Sequence, residues 1–307
     1  MTKLSIITPI YNEKENIKIL YFEIKEVNEK LVKDKIISSY EIIFVDDGSR
    51  DGSNKVFKDL SKDKKLKIIT LRKNFGQTPA LKAGFDNCTG DLIVTLDGDL
   101  QNDPRDIPLL INKLNEGYDV VSGWRYKRKD SFFKKIISRM MNNLRLWVIG
   151  DFLHDYGCSL KIYKKECIKD LELFGELHRY ITAYLYIKGY KIGEIPVNHR
   201  LRKFGKTKYK TISGRGINGI LDLFYLKFWA SYSNRPLHFF GRIGIWLWIL
   251  AGIIIFEQII KAYVIGALEL GPLLMLSAVF GILGLLFIIF GFLSEIVTRS
   301  YFKDKEI

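Results

Sequence analysis

Short β-branched runs alternate with longer stretches of helical spacing along the first 125 residues. The pattern predicts strands over Leu4–Thr8, Glu41–Val45, Leu66–Leu71, Asp91–Leu96 and Asp119–Ser122. Between them it predicts helices over Glu13–Lys30, Asn54–Leu60, Gln77–Asn87 and Pro104–Asn115. Strict alternation implies right-handed βαβ crossovers and a mainly parallel sheet with flanking helices, an α/β fold of Rossmann-like type. Ligands then bind beyond the carboxyl ends of the strands.

Later in the chain, 126–150 reads as a basic amphipathic helix, with Ile136, Met140, Leu144 and Trp147 on one face. Cys158–Tyr163 and Lys191–Asn198 read as further strands. Ile217, Ile220, Leu221, Phe224 and Phe228 share one helical face, which suits a helix lying in a membrane interface. Two apolar segments follow, Ile243–Val264 and Leu273–Val297, of 22 and 25 residues. At 1.5 Å per residue they reach about 33 and 37 Å, enough to cross a hydrocarbon core of about 30 Å. A helical hairpin buried in a soluble protein is the competing reading, disfavoured by the length and apolarity of the segments.

Charge sharpens the division. The chain of 307 residues has 48 Lys and Arg against 34 Asp and Glu, a formal net charge of +14. From Ile243 to Ser294 only Glu257, Lys261 and Glu269 are charged, so the positive excess lies outside the apolar tail. A basic water-soluble part joined to a hydrophobic hairpin excludes a purely soluble enzyme. Lys227, Arg235 and Arg242 precede the first segment, and Arg299, Lys303 and Lys305 follow the second. The positive-inside rule places the soluble part and both termini on the cytoplasmic side of the cell membrane. The expected organisation is a catalytic domain at 1–210, juxtamembrane amphipathic helices at 211–241, two transmembrane helices within 242–298 and a cytoplasmic tail at 299–307.

Cys88, Cys158 and Cys167 are an odd number without C-x-x-C spacing, which argues against a disulfide framework or a zinc site. The N-terminal apolar run is short, β-branched and broken by Pro9, and reads as a strand rather than a signal peptide. A basic surface also raises nucleic acid as a partner. No nucleic-acid motif accompanies it, and anionic headgroups are the expected counterpart.

The strand ends carry the candidate chemistry. Five loops would face one crevice: 9–13, 46–49, 72–76, 97–101 and 123–125. Neither G-x-G-x-x-G nor a P-loop occurs among them. Asp97 and Asp99 end a strand, and with Gln101 they offer hard oxygen ligands suited to Mg²⁺ or Mn²⁺ that keeps positions for water and phosphate. D-x-D alone is too short to be diagnostic; its place beside Asp46-Asp47 at another strand end gives it weight.

Seven stretches together carry a resemblance: TPIYNE (8–13), VDDGSRDGS (45–53), RKNFGQ (72–77), DGDLQNDP (97–104), SGWRYKR (122–128), DYGCSLKIY (155–163) and HRLRKFGKTKY (199–209). The chain resembles family 2 glycosyltransferases of the GT-A fold, in the polyprenyl-phosphate branch that includes dolichyl-phosphate mannose synthases and bactoprenol glucosyltransferases. The resemblance implies that Pro9, Tyr11, Glu13, Asp46 and Asp47 hold the nucleoside of a nucleotide-sugar, and that Asp97, Asp99 and Gln101 hold metal and diphosphate. It implies further that Arg125 and Arg139 grip the acceptor phosphate, and that Arg202 and Lys208 close over the donor phosphates. Asp155 is expected either to touch the sugar or to orient an arginine.

The implied reaction is inverting transfer of a hexose, glucose first, from a UDP-sugar to undecaprenyl phosphate. N-acetylglucosamine or GDP-mannose are alternatives. A processive polysaccharide synthase is a second reading, against which the chain lacks Q-x-x-R-W and has little material for a channel. A catalytically inactive scaffold is a third, opposed by the intact acidic and arginine positions. Ser277, Gly281 and Gly284 raise the expectation of a homo-oligomer through the apolar helices.

Overall fold

The computed structural model describes residues 2–126, 153–169, 177–204, 235–266 and 271–303, with single residues between 150 and 232. It divides into two units, Met1–Leu223 and Phe224–Ile307, so the boundary falls inside the expected 211–241 segment. The expected helix at 126–150 lies outside the described residues, and so does most of the expected interfacial helix. Of the latter, Leu221, Phe224, Tyr225, Lys227, Phe228, Ser231 and Tyr232 are helical.

The first unit is built on a seven-stranded sheet in the order β3-β2-β1-β4-β6-β5-β7. Its strands are β1 (Lys3–Ile10), β2 (Ser39–Asp46), β3 (Leu66–Thr70), β4 (Leu92–Thr95), β5 (Val120–Trp124), β6 (Lys161–Lys164) and β7 (Ile192–Pro196). The helices are α1 (Lys14–Lys33), α2 (Ser53–Leu60), α3 (Gln77–Asp86), α4 (Ile107–Leu114), α5 (Lys165–Lys169) and α6 (Ile181–Ile187). All nine elements expected before residue 125 are present, with ends shifted by a few residues.

Alternation within the strands sets the two faces. Leu4 and Ile6 of β1, Ile42 and Phe44 of β2, and Val94 of β4 join one core with α1, α2 and α4. That core takes Ile17, Leu20, Ile24 and Leu31 from α1, and Ile107, Leu110, Ile111 and Leu114 from α4, at helical spacing. The alternate residues Ile7 and Val45 meet α3 at Gly84 on the opposite face. The sheet is therefore covered on both sides, as a mainly parallel sheet must be.

Two topological facts position the site. β1 lies between β2 and β4, parallel to both, so the chain winds one way through β3 and then returns across β1. The crevice at such a reversal lies above the ends of β1 and β4. Second, β6 runs antiparallel between β4 and β5, with Lys161 opposite both Thr95 and Ser122. A reversed strand delivers the loop before it, 155–160, to the edge where its neighbours deliver the loops after them. The sequence places a strand over 158–163; in the structure it begins at Lys161. Residues 158–160 are drawn toward the site instead, with Ser159 Oγ donating to Asn102 Oδ1 at 2.7 Å and Thr95 Oγ1 donating to the Ser159 carbonyl at 2.8 Å.

The second unit is a pair of long helices, α7 (Pro236–Ile265) and α8 (Pro272–Lys303). Both are long and apolar enough to cross a membrane. Their outward side chains, including Trp246, Phe256, Tyr263, Met275 and Ile282, are exposed, so the hairpin is not the core of a soluble domain. Gly244 and Gly284 let the two backbones approach closely, and Trp248 Nε1 donates to the Gly281 carbonyl at 3.0 Å. Ser277 is buried and its hydroxyl donates to the Leu274 carbonyl at 2.7 Å. Gly284 and Ser277 are thus engaged within the hairpin and do not by themselves mark a face for a second copy.

Candidate active site

The ends of β1, β2 and β3 are tied together by short side chains. Asn12 has φ 50, a left-handed conformation that asparagine tolerates. Its backbone N–H donates to Ser49 Oγ at 2.9 Å, and its Oδ1 accepts from the Arg50 N–H at 2.7 Å. Asp46 is fully buried, and its Oδ1 accepts from the Ser49 N–H at 3.0 Å. Asp47 accepts from the N–H groups of Phe75 at 2.7 Å and Gly76 at 2.9 Å. Burial pushes the Asp47 carboxyl above its ordinary value despite these bonds. Between the loops sits Gly48, at φ +70, where a Cβ would lie 2.5 Å from the carbonyl carbon of Lys73.

A cavity of about 320 Å³ opens above β1 and β4. Its wall includes Pro9, Tyr11, Glu13, Asp47, Asp97, Asp99 and Arg202, seven of the residues singled out from sequence. Asp97 Oδ1 accepts from Gln77 Nε2 at 2.8 Å. Burial, and then the neighbouring Asp99, push the Asp97 carboxyl upward; a Ser159 hydrogen bond and the charges of Arg125 and Lys161 act against them. Leu100 adopts φ 62, turning the chain so that Asp99 Oδ1 accepts from the Gln101 N–H at 3.1 Å. The other oxygen, Oδ2, accepts from Arg202 at 2.5 Å, and Arg202 also lies 3.6 Å from Glu13 Oε1. Two carboxylates on one cavity wall, one already satisfied by a cation, are a donor set that fits Mg²⁺ or Mn²⁺.

Arg200, two residues before Arg202, is anchored separately. The Arg200 guanidinium forks onto Asp103 and onto Glu23 Oε2 at 2.7 Å, while its N–H donates to the Gln101 carbonyl at 2.9 Å. Gln101 and Asp46 are not brought into the cavity wall. The Gln101 amide instead reaches the Arg200 carbonyl at 3.5 Å. Arg139 and Lys208 lie outside the described residues.

Arg125 and Asp155 meet on the flank that β5 and β6 create. Arg125 Nε donates to Asp155 Oδ2 at 2.6 Å and its NH2 group to Oδ1 at 2.8 Å, a bidentate pair. The backbone N–H groups of Arg125 and Gly157 also donate to this carboxylate, at 3.2 and 3.1 Å. Burial alone would raise the Asp155 carboxyl, but the Arg125 bonds and charge hold it below its ordinary value. Asp155 thus contacts an arginine, the geometry that one of its two expected roles requires. Gly157 makes the approach feasible, since a Cβ there would lie 2.9 Å from the Arg125 NH2 nitrogen.

Three further residues escaped the sequence reading. Lys161 is buried beside this pair, its Nζ donating to the carbonyls of Tyr156 and Cys158, and burial pushes its ammonium pKa down. Gln77, which ends the RKNFGQ stretch, bonds Asp97. His178, in a 3₁₀ turn at Leu177–Arg179, lines the cavity, and its Nδ1 lies 2.8 Å from Thr78 Oγ1. Burial pushes the imidazole down to about 3, so it is neutral at physiological pH. The one available signal was a histidine, among four in the chain, inside the polar stretch GELHRY.

Comparison with known proteins bears on the family and the fold. Residues 5–171 match the model of glycosyl transferase family 2. The chain is 39% identical over 316 residues to dodecaprenyl-phosphate galacturonate synthase of Rhizobium johnstonii, covering 98% of this chain and 89% of that protein. Among solved structures, glucosyl-3-phosphoglycerate synthase of Mycobacterium tuberculosis with UDP matches at a TM-score of 0.55 and 17% identity, over 74% of this chain and 80% of that one. The same enzyme with Mn²⁺ and UDP-glucose matches at a TM-score of 0.55 and 16% identity, over 74% of this chain and 79% of that one. These structural likenesses establish the GT-A fold.

Proposed function

Because the chain belongs to glycosyl transferase family 2, we propose that it moves a sugar from a UDP-linked donor onto the phosphate of a polyprenyl phosphate, with inversion at the anomeric carbon. The observation that carries this reading is the cavity above β1 and β4, with Asp97 and Asp99 on its wall and the Asp155-held guanidinium of Arg125 acting electrostatically on Asp97. The named relative brings a polyprenyl phosphate as acceptor. It also moves galacturonate ahead of glucose, the sugar expected from the sequence.

The chemistry needs little from protein acids or bases. A phosphate monoester with a second pKa of about 6 is largely a dianion at cytosolic pH and is itself the nucleophile. Its oxygen attacks C1 of the donor sugar as the bond from C1 to the β-phosphate oxygen breaks, and UDP departs with that electron pair. Pro9, Tyr11 and Asp47 bind the nucleoside, and Arg125 with Arg139 orients the attacking phosphate behind C1. Arg202 and Lys208 cover the leaving diphosphate. Asp97 and Asp99 would hold a divalent cation, which when bound would supply charge neutralisation of that diphosphate. Such direct displacement draws on the carboxylates and cations of the site and asks for no activated protein hydroxyl.

In this reading α7 and α8 span the membrane, and the catalytic unit and both termini are cytoplasmic. Arg235, Arg242 and Arg299 near the helix ends support that orientation. A long isoprenoid stays in the bilayer while its phosphate waits at the surface. The test is to incubate the purified protein with undecaprenyl phosphate and a panel of UDP- and GDP-sugars, then identify the lipid product by mass. One hexuronosyl or hexosyl lipid formed from a UDP-sugar supports the reading. A ladder of oligosaccharides, or donor binding without transfer to any lipid, would replace it with the synthase or scaffold reading.

A further inference from the structure

We infer that His178 is a specificity-determining residue that hydrogen-bonds a hydroxyl of the transferred sugar, between the donor diphosphate and the acceptor phosphate. The inference rests on the glycosyl-transfer reading above and goes beyond it in assigning the sugar subsite.

The cavity wall sorts by origin. Tyr11, Asp47, Asn74 and Gly76 come from loops bound to one another at the ends of β1, β2 and β3, the nucleoside flank. Asp97, Asp99 and Arg202 form the charged centre. His178 arrives on the 3₁₀ turn Leu177–Arg179, a hundred residues after the threonine that holds it. Through Thr78 it is tied to the same turn of α3 whose Gln77 bonds Asp97, so His178 stands beside the charged centre. In an in-line displacement the sugar lies between leaving and attacking oxygens, which is this part of the cavity.

Its chemistry suits the position. An imidazolium would be drawn to phosphate, whereas a neutral ring offers one donor and one acceptor to hydroxyls. Thr78 is buried on the first turn of α3, next to Gln77, which donates to Asp97. One helical turn thus fixes both the metal-side carboxylate and the imidazole. That coupling gives the ring a defined distance from the anomeric centre, which discrimination between epimers requires.

The test is calorimetric titration of the full-length protein in detergent, with Mg²⁺, against UDP, UDP-glucose and UDP-galacturonate. For His178→Ala we expect at least about tenfold weaker binding of the preferred UDP-sugar, the scale of one lost hydrogen bond in a dry site, with UDP affinity within about twofold of wild type. His178→Gln should recover part of the loss, and Thr78→Val should narrow the preference between the two sugars. Equal weakening of UDP and UDP-sugars, or no weakening of either, would overturn the assignment. These titrations contain no lipid, so a wild-type protein that makes no lipid product would count against the proposed reaction while leaving the His178 result readable.

Discussion

Arg202 and Asp99, 103 residues apart in sequence, meet at 2.5 Å in the cavity. Both are largely buried, with side-chain exposures of 21% and 12%. The guanidinium satisfies an oxygen that the proposed chemistry assigns to a divalent cation. Ion and arginine therefore compete for Asp99 until a nucleotide diphosphate gives Arg202 another anion. Arg202→Gln is expected to tighten binding of Mn²⁺ alone by about fivefold or more, the equivalent of about 1 kcal/mol, as read by electron paramagnetic resonance of free Mn²⁺. The same variant should turn over at least about tenfold more slowly, because it loses a cation on the leaving group. Unchanged Mn²⁺ affinity would show that the pair does not screen the site.

Asp155 holds the Arg125 guanidinium, which the proposed reaction assigns to the acceptor phosphate, so its replacement should separate acceptor from donor. In Asp155→Asn the bidentate pair becomes a single weak contact and the guanidinium loses its fixed direction. The KM for polyprenyl phosphate should rise about tenfold or more, with UDP affinity unchanged, in steady-state assays. Breaking a buried pair also leaves a charge uncompensated, so the melting temperature should fall. Gly157→Ala should reproduce the kinetic effect in milder form, since its methyl would press on the same guanidinium.

Gly48 packs against the Lys73 backbone, between the loops that the proposed function assigns to the donor. An alanine there combines a left-handed φ with a contact of 2.5 Å to the Lys73 backbone, so the 72–76 segment must move away from Asp47. We expect Gly48→Ala to cost about 1–3 kcal/mol in denaturant unfolding and to weaken UDP binding. A variant with wild-type affinity for UDP would show that these loops do not carry the nucleoside.

The pH dependence of stability follows from His178. Its folded-state pKa lies far below the unfolded value of about 6.5, so the native protein holds the ring neutral while the unfolded chain takes up a proton. The contribution is complete above about pH 6.5 and is lost as pH falls, by about 2 kcal/mol between pH 7 and pH 5 for this group alone. Thermal melts of His178→Gln should show a shallower acid limb than wild type. Parallel limbs would mean that the imidazole is accessible to protons in the native state.

Legibility in the sequence followed periodicity. The strands before residue 125 are readable as short β-branched runs, of which β1 and β2 are buried on both faces, the helices because each buries one face at helical spacing, and the loops at their ends stand out as polar clusters. The reversed β6 was not readable, since direction leaves no mark on a four-residue strand; with it went the reason why DYGCS stands beside Arg125. Motif position brought Asp97, Asp99 and Arg202 to one cavity. It did not separate Asp47, on the cavity wall, from Asp46, buried one residue earlier under a turn. His178 was missed because its partner Thr78 is a hundred residues away, and neither residue is unusual alone.

The central claim is direct glycosyl transfer to a lipid-borne phosphate at the Asp97 and Asp99 site, and one product analysis tests it. Polyprenyl phosphate labelled with ¹⁸O in its phosphate would be converted with the accepted UDP-sugar, and the lipid and nucleotide products characterised by mass and nuclear magnetic resonance. The account predicts a sugar joined through a single phosphate, ¹⁸O in the bridge to C1, an inverted anomeric centre and UDP as the released nucleotide. A diphosphate-linked sugar with UMP, or a retained anomeric centre, would contradict it.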